Sequence, residues 1–411
     1  VYDVVMVVHP NAKGIMGRYE KIRRRHKVRS FLFASRLAVF VVGIFAPGGA
    51  AGQGELPSEL LDHLRVELHD KQFSGVLDVR AGDRSLFRFV SSTDVSTSSV
   101  FWIGSVSKQF AAVAALRLVD QGKLSLAEPL AEKLGLGRAA LRLDGVPCTL
   151  ADVLHHTCGL PSGNVCSIRR LDEASAQQEF LRCVEDLRLE SHPGAKYAYS
   201  NVGYDLVGVL VSRTAGIRYE DFLQKELFTP LAMRSTGVEL SDHPEAKRRL
   251  VQGEAFNGSG WSRTWPWLLL DPTGLGTTGA SGNIFSTAQD LHAWNRALHG
   301  GLVLSPATYS RLMTPALDKY GFGVAIEKSK DGTQWIWHNG SITPMGWSSF
   351  VAYIPTKDVS VVGLANRGMH SSHVMRATKS LVLAALGDEV ESPILKDPAD
   401  DDLAVEMIFF I

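Results

Sequence analysis

The sequence has no excess of charge of either sign: 43 lysines and arginines balance 43 aspartates and glutamates. It also has no internal repeat and no low-complexity tract. A chain with balanced charge has no overall field to attract nucleic acid or an anionic membrane, so we expect neither as a partner. The charge therefore points to a small or neutral partner. With 411 residues and 45% hydrophobic content, the chain can form one large globular domain or two ordinary ones.

The N-terminal region lacks a hydrophobic run long enough to span a membrane. The apolar segment Leu37 to Ala46 has about half of the ~20 residues that a spanning helix needs. It follows the basic run Lys21 to Arg29 and precedes P-G-G-A-A-G, which is the order of a secretory leader. We therefore expect residues 1–51 to be a leader cleaved near Ala51, with an over-extended N terminus, and the mature protein to be exported, periplasmic or secreted, without a stable membrane span. A permanent N-terminal anchor and a cytosolic protein with a misread leader are the alternatives.

Cysteine is scarce. The chain has four, none in a C-x-x-C motif or in tight spacing with histidine, which argues against a zinc site. In an exported chain we expect one or two disulfides among them, and the sequence does not rank the three full pairings. Buried unpaired thiols are the alternative. The four are Cys148, Cys158, Cys166 and Cys183. The sequence implies no metal and no organic cofactor.

Strand patterns lie at both ends of the chain, and helical patterns lie between them. We therefore predict an α+β fold, in which an antiparallel sheet built from both chain ends is flanked by helices and carries an inserted, mostly helical domain. The predicted strands are 73–80, 85–90, 320–327, 333–338, 347–355 and 358–366. The predicted domains are a main domain at 55–390 and a tail at 391–411. The main domain has a sheet subdomain at about 55–118 and 275–390 and a helical subdomain at about 119–274.

A serine and a lysine stand three positions apart in G-S-V-S-K-Q-F, at the start of a long apolar helix pattern that ends at Gly122. Residues three apart lie on one face of a helix, so Lys108 could take the proton from Ser105 and make it a nucleophile. The first turn of a helix also favours negative charge on an attacked carbonyl oxygen. A serine helix cap followed by a solvent-exposed lysine is the alternative.

Two further polar motifs follow in order. Y-S-N contains Tyr199 and Asn201, and H-N-G contains His338 and Gly340 between two strand patterns. Taken singly, Tyr199 fits the start of a helix and His338 fits an edge strand. Their value as functional signals comes from their combination with the serine and lysine.

The combined motifs carry a family resemblance. Four side chains occur in a fixed order along the chain: Ser105, Lys108, Tyr199 and His338. With the stretches F-S-G-V-L, W-I-G-S-V-S-K-Q-F, L-H-H-T-C-G-L-P, Y-S-N-V-G-Y, G-A-S-G-N-I-F-S-T-A-Q-D-L (279–291) and H-N-G-S, the chain resembles the serine β-lactamase and penicillin-binding-protein superfamily over about 57–387. The likeness is greatest to the class C β-lactamase, D-alanyl-D-alanine carboxypeptidase and esterase branch. It implies a β-lactamase/transpeptidase-like fold and a serine hydrolase whose partner is a small-molecule or peptide acyl substrate, namely an ester, amide or β-lactam. A catalytically silent relative that binds cell-wall peptides or a partner protein is the alternative.

The resemblance implies that Ser105 carries an acyl group and that Lys108 and Tyr199 share its proton. Both of these groups have free pKa values near 10, so one of them needs a shift of about three units, or about 4 kcal/mol. An ammonium about 4 Å from a phenol, at an effective dielectric near 20, supplies a comparable energy. A tyrosinate beside a protonated lysine and a neutral lysine beside a phenol are both feasible, so the identity of the base stays open.

The resemblance also assigns binding roles. Asn201 would orient Lys108 and touch the substrate. The backbone N–H groups of Ser105 and of Ser341, the residue after Gly340, would form an oxyanion hole.

Three features depart from the family pattern or stay open. His338 stands where β-lactamases and carboxypeptidases place a lysine that holds the substrate carboxylate, and a mostly neutral histidine weakens the case for an anionic β-lactam. It would contact the substrate or the proton network of Tyr199. Cys158 replaces a common serine, and we interpret it as packing rather than as a nucleophile. The tryptophan-rich segment 257–267 is expected to line the substrate cleft.

Overall fold

The computed structural model describes most of the region in which the motifs occur. The described residues are 44–45, 55–91, 95–163, 165–166, 168, 171, 174–256, 261–264, 279–342, 345–367, 371–392 and 394–395. Almost all of the predicted leader, most of the predicted tail 391–411 and most of the tryptophan-rich segment lie outside the described residues. The limits of the two predicted subdomains stay predictions.

A six-stranded antiparallel sheet is built from both ends of the described chain. Its strands lie side by side in the order β3-β4-β5-β6-β1-β2. In chain order they are β1 (Gly75–Ala81), β2 (Arg84–Val90), β3 (Ala325–Lys328), β4 (Gln334–Ile342), β5 (Trp347–Ile354) and β6 (Val359–Ala365). Pairing of β6 with β1, with Val361 opposite Val79, joins the two ends of the chain. The predicted α+β fold and its antiparallel sheet are confirmed.

Helices cover this sheet and fill the middle of the chain. Within the described residues, the six helices of 12 residues or more are α1 (Ser58–Asp70), α2 (Ser107–Asp120), α3 (Ala174–Glu185), α4 (Asn201–Ala215), α5 (Ala288–His299) and α6 (Ser371–Leu386). No helix in the described part of the chain is long and apolar enough to cross a membrane.

Shorter elements connect these. The short helices are Leu130–Lys133, Leu150–Leu154, Tyr219–Leu223, Pro244–Arg249 and Pro306–Leu312, with a π turn at Gln224–Phe228 and 3₁₀ turns at Gly104–Val106, Leu240–Asp242 and Pro355–Lys357. The short antiparallel strand pairs are Ile44–Phe45 with Val390–Glu391, Phe101–Trp102 with Phe285–Ser286, Arg142–Leu143 with Val146–Pro147, and Glu254–Phe256 with Trp261–Arg263.

The sheet separates two apolar cores because successive strand residues point to opposite faces. Leu77 and Val79 of β1 join a core that contains the buried faces of α1 and α6. Val76 belongs to the larger core on the other face, which contains α2, α4 and α5. The helices that carry the sequence motifs therefore lie on one side of the sheet.

Helix α2 is the central helix of the larger core. Its sequence, S-K-Q-F-A-A-V-A-A-L-R-L-V-D, combines alanines with straight-chain residues that favour a helix. Every residue from Ser107 to Leu116 is buried. The chain leaves the helix at Gly122, whose φ of +69° suits glycine. A helix buried on all sides carries its lysine, Lys108, into the protein interior.

The four cysteines form two disulfides, Cys148–Cys158 and Cys166–Cys183. The pairing that the sequence left open is therefore local, between neighbours along the chain. Cys158 is bonded to Cys148 and is not available as a nucleophile. The same bond fixes the loop that contains His156, which contacts the motif residues described below.

Removal of the first disulfide should lower the free energy of unfolding. Replacement of both Cys148 and Cys158 by serine releases a loop of about a dozen residues in the unfolded chain, which predicts a loss of about 3 kcal/mol. Chemical denaturation of the variant and the parent measures this difference. Peptide mapping without reductant should recover the 148–158 and 166–183 links; another pairing, or free thiols in protein purified without reductant, would contradict the assignment.

Candidate active site

Ser105 lies where a strand gives way to helix α2. The strand Phe101–Trp102 ends just before it, and the 3₁₀ turn Gly104–Val106 contains it. We predicted Ser105 in the first α-helical turn; it lies instead in the 3₁₀ turn that leads directly into α2, a common way for a helix to begin. Its side chain is half-buried, whereas the next turn is fully buried. The hydroxyl thus lies at the border between core and solvent.

Lys108 is fully buried, and its amine has three oxygen neighbours. Lys108 Nζ lies 3.0 Å from Ser105 Oγ, 2.7 Å from Asn201 Oδ1 and 2.9 Å from the carbonyl oxygen of Ser281. A neutral amine has two hydrogens and one lone pair. The Asn201 and Ser281 oxygens can only accept, so they take both hydrogens and direct the lone pair at Ser105. The arrangement suits removal of the Ser105 proton, and the role of Asn201 in orienting Lys108 stays a prediction that this hydrogen bond supports.

The electrostatics of the site distinguish the two candidate bases. Burial lowers the pKa of Lys108 to about 7, although the charge of Asp205 opposes the shift. Burial raises the pKa of Tyr199 well above its usual range, and a hydrogen bond with Ser105 opposes that rise. The Lys108 amine also lies 4.6 Å from the centre of the Tyr199 ring. Near pH 7 the phenol is therefore neutral and the amine is the group that changes protonation.

Tyr199 and Asn201 are held at the start of α4. Ser200 between them has an extended backbone, and Asn201 is the first helical residue. The Ser200 N–H donates to His156 Nδ1 at 3.1 Å, and the Ser200 hydroxyl donates to the Pro161 carbonyl at 2.9 Å. Ser200 thus ties the Y-S-N segment to His156, in the loop that the Cys148–Cys158 bond closes, and to Pro161, which helps to fix the positions of Tyr199 and Asn201.

Strand β4 brings its H-N-G-S motif against the backbone of Ser105. A Cβ atom on Gly340 would lie 2.0 Å from the Ile103 carbonyl oxygen and 2.9 Å from the Ser105 nitrogen. On the facing segment, a Cβ atom on Gly104 would lie 2.9 Å from the Ser341 nitrogen. Only glycine allows this approach on both sides. The backbone nitrogens of Ser105 and Ser341 thus lie on two segments in close contact. An oxyanion hole formed by these two groups stays a prediction.

His338 is buried, and both of its ring nitrogens have protein partners. Nδ1 lies 2.6 Å from the carbonyl oxygen of Asn339, and Nε2 lies 2.9 Å from the Tyr320 hydroxyl. Since the carbonyl can only accept, Nδ1 carries the proton and Nε2 accepts from Tyr320. Burial, aided by the charge of Lys108, lowers the pKa of His338 to about 3. The ring is neutral at physiological pH, and its predicted contact with substrate stays a prediction.

Sequence reasoning missed three residues at this site. Asp205 lies one helical turn after Asn201 and is a lone carboxylate in an apolar helix, which was a readable signal. Ser281 acts through its backbone carbonyl, which no side-chain pattern reveals. Tyr320, the partner of His338, lies in a segment that we interpreted only as a strand. In the tryptophan-rich segment, the described Trp261 lies under the Arg367 guanidinium, 4.9 Å from its ring centre.

The sequence is similar to those of known proteins. The family model described as Beta-lactamase matches residues 62–385. The chain is 24% identical over 366 residues to Penicillin-binding protein 4* of Bacillus subtilis (strain 168), a match that covers 81% of this chain and 78% of that protein. It is 27% identical over 304 residues to Unguisins hydrolase ungD' of Aspergillus campestris (strain IBT 28561), which covers 68% of this chain but only 55% of that protein.

A solved structure shows the same fold. The octameric penicillin-binding protein homologue from Pyrococcus abyssi superimposes with a TM-score of 0.68 at 21% identity, covering 80% of this chain and 77% of that one. The family match and the fold support a serine-hydrolase-type function in general. Since the family model spans most of the described residues, the chain belongs to the β-lactamase family, within the serine β-lactamase and penicillin-binding-protein superfamily.

Proposed function

We propose that the protein is an exported serine hydrolase that forms an acyl-enzyme at Ser105, with Lys108 as the general base. The observation that carries the proposal is the 3.0 Å contact between Lys108 Nζ and Ser105 Oγ, made by an amine whose hydrogens have two other acceptors. An adjacent base within hydrogen-bond reach is what a serine nucleophile needs.

Acylation follows from this arrangement. Ser105 Oγ attacks the carbonyl carbon of the substrate, and its proton passes to the lone pair of Lys108. The negative charge that develops on the carbonyl oxygen is stabilised by the backbone N–H groups of Ser105 and Ser341, where the loss of one donor typically costs about 3 kcal/mol. The bond to the leaving group then breaks as the proton moves from Lys108, by way of the Tyr199 hydroxyl, to the departing atom.

Deacylation reverses the proton path. Water attacks the acyl carbonyl and gives a proton to the Lys108 and Tyr199 pair; the bond from the acyl carbon to Ser105 Oγ breaks, and Oγ regains a proton. Tyr199 keeps its proton near pH 7 because burial raises its pKa, so it acts as a relay rather than as the resting base.

The neutral charge state of His338 affects which acyl donors the site would favour. A lysine at this position would offer a positive charge to a substrate carboxylate, whereas the His338 ring is neutral and held by Tyr320. The site therefore favours acyl donors that do not need a cation here, and we propose an ester or an amide with an uncharged acyl group ahead of an anionic β-lactam. The two disulfides support export, because such bonds persist in oxidising compartments.

Replacement of Ser105 by alanine should abolish covalent labelling. After exposure to a fluorophosphonate, a penicillin and a cephalosporin, intact-mass measurement should find a fluorophosphonate adduct at Ser105 in the parent and little or no β-lactam adduct. The Ser105→Ala variant should form none, and the exposed Ser125→Ala variant should label like the parent.

The same measurement separates the proposal from its rivals. Absence of an adduct at Ser105 in the parent, with nitrophenyl-ester turnover that is equal in parent and Ser105→Ala and no faster than the uncatalysed reaction, would reject it in favour of a catalytically silent binding protein. A stable penicillin adduct at Ser105 would keep the nucleophile but overturn the preference for uncharged acyl donors.

The pH dependence of acylation should report Lys108. Since only the neutral amine can take the proton and its pKa is lowered to about 7, the rate should rise about tenfold per pH unit below that value and level off above it. Measurement of kcat/KM for a nitrophenyl ester from pH 5 to 9, with Ser105→Ala subtracted as background, tests this. A rate that climbs through pH 9 without a plateau would contradict the assignment and favour Tyr199 or an unperturbed lysine.

A further inference from the structure

The buried carboxylate of Asp205 has no part in the reaction described above, yet it lies beside the amine that the reaction needs. Asp205 is 2% exposed. It lies on α4 four residues after Asn201, so the two side chains leave the helix on the same face. A carboxylate is rarely buried without a specific partner, and its partners here are backbone groups of the 279–281 turn.

The Asp205 carboxylate holds that turn by hydrogen bonds. The Ser281 N–H donates to Asp205 Oδ1 at 2.9 Å, and the Gly279 N–H also donates to the carboxylate. The carbonyl oxygen of the same Ser281 accepts from Lys108 Nζ at 2.9 Å. One residue of backbone therefore connects the carboxylate to the amine.

Small residues seat the turn on α4. A Cβ atom on Gly279 would lie 3.0 Å from Asp205 Oδ1, so glycine leaves room for the carboxylate. One turn further along the helix, a Cβ atom on Gly208 would lie 2.6 Å from the Ala280 side chain. The turn thus rests directly on the helix, and Asp205 is the polar group that fixes it there.

Asp205 also differs in charge from the other titratable groups around the Lys108 amine. The titratable groups that face Lys108 from the elements packed around it are Asp205, Tyr199, Tyr204, His156 and His338. Burial holds the pKa of both tyrosines above their usual range and the pKa of both histidines below theirs, so these four are neutral near pH 7. Burial raises the pKa of Asp205 to about 6, against the opposing effects of Ser281 and Lys108.

We propose that Asp205 is a positioning residue for Lys108: its carboxylate fixes the Ser281 carbonyl that orients the amine, and it places one negative charge beside that amine. The inference rests on the proposed function and deepens it. Burial lowers the pKa of the amine, and the charge of Asp205 opposes that shift because it favours the protonated form. The amine is therefore a stronger base than burial alone would leave it.

The test is the pH profile of fluorophosphonate labelling in the Asp205→Asn variant. Asparagine keeps an acceptor for the Ser281 N–H but removes the charge. We expect the midpoint of the acid limb to move down by about one pH unit, with a plateau rate several-fold lower. Asp290→Asn is the matched control, since Asp290 is another buried carboxylate that accepts a backbone N–H, from Ser235 at 2.8 Å. Its profile should match the parent.

The proposal would be overturned if the labelling rate of Asp205→Asn rose with pH at the same midpoint as the parent's, even if its plateau rate were lower. A merely structural role of Asp205 would lower the rate without moving the pH at which it rises. If Asp205→Asn does not fold, Asp205→Ser removes the same charge with a smaller side chain, and the same downward shift is expected. Failure of the proposed function would give a different result. The parent protein itself would then be labelled in a way that does not depend on Ser105 or on pH, and this would overturn both proposals.

Discussion

The burial of one amine is the constraint on which the rest of the site depends. Lys108 enters the core because α2 is apolar on every side, and the surrounding side chains exclude the water that would otherwise keep it protonated. A lysine of ordinary pKa beside Ser105 would be a cation and could not accept a proton. The proposed roles of Ser105 as nucleophile and of Lys108 as base therefore depend on the burial of the helix that carries the lysine.

The sheet supplies the second part of the proposed site, because it holds strand β4 against the backbone of Ser105. Strand β4 must come close enough to the Ser105 backbone for two N–H groups to meet one carbonyl oxygen, and this requires glycine at Gly340 and at Gly104. Pairing of β6 with β1 joins strands from the two chain ends. Since β4 comes from the C-terminal part and Ser105 from the N-terminal part, the proposed oxyanion hole depends on the closure of that sheet.

The parts of this arrangement that could be predicted are those carried by side-chain type and periodicity. The strands at both ends alternate clearly, and the order of Ser105, Lys108 and Tyr199 along the chain indicates a candidate site that the fold brings together. The identity of the base could not be decided, because it depends on how deeply each group is buried. The contact of the Ser281 carbonyl with Lys108 could not be predicted, because every residue has the same backbone groups. The local disulfide pairing could not be predicted either, because it depends on the conformation of the loop around Cys158.

The buried lysine also opposes folding, which argues for its chemical role. In the unfolded chain its amine stays protonated to about pH 10, whereas burial lowers the folded pKa to about 7. Between these values the unfolded state binds the extra proton, so this residue's contribution becomes less unfavourable as the pH rises through that range. An apolar side chain would satisfy the same packing without that penalty. Stability therefore does not explain an amine at this position, with two acceptors and a serine hydroxyl around it, whereas the proposed proton transfer does.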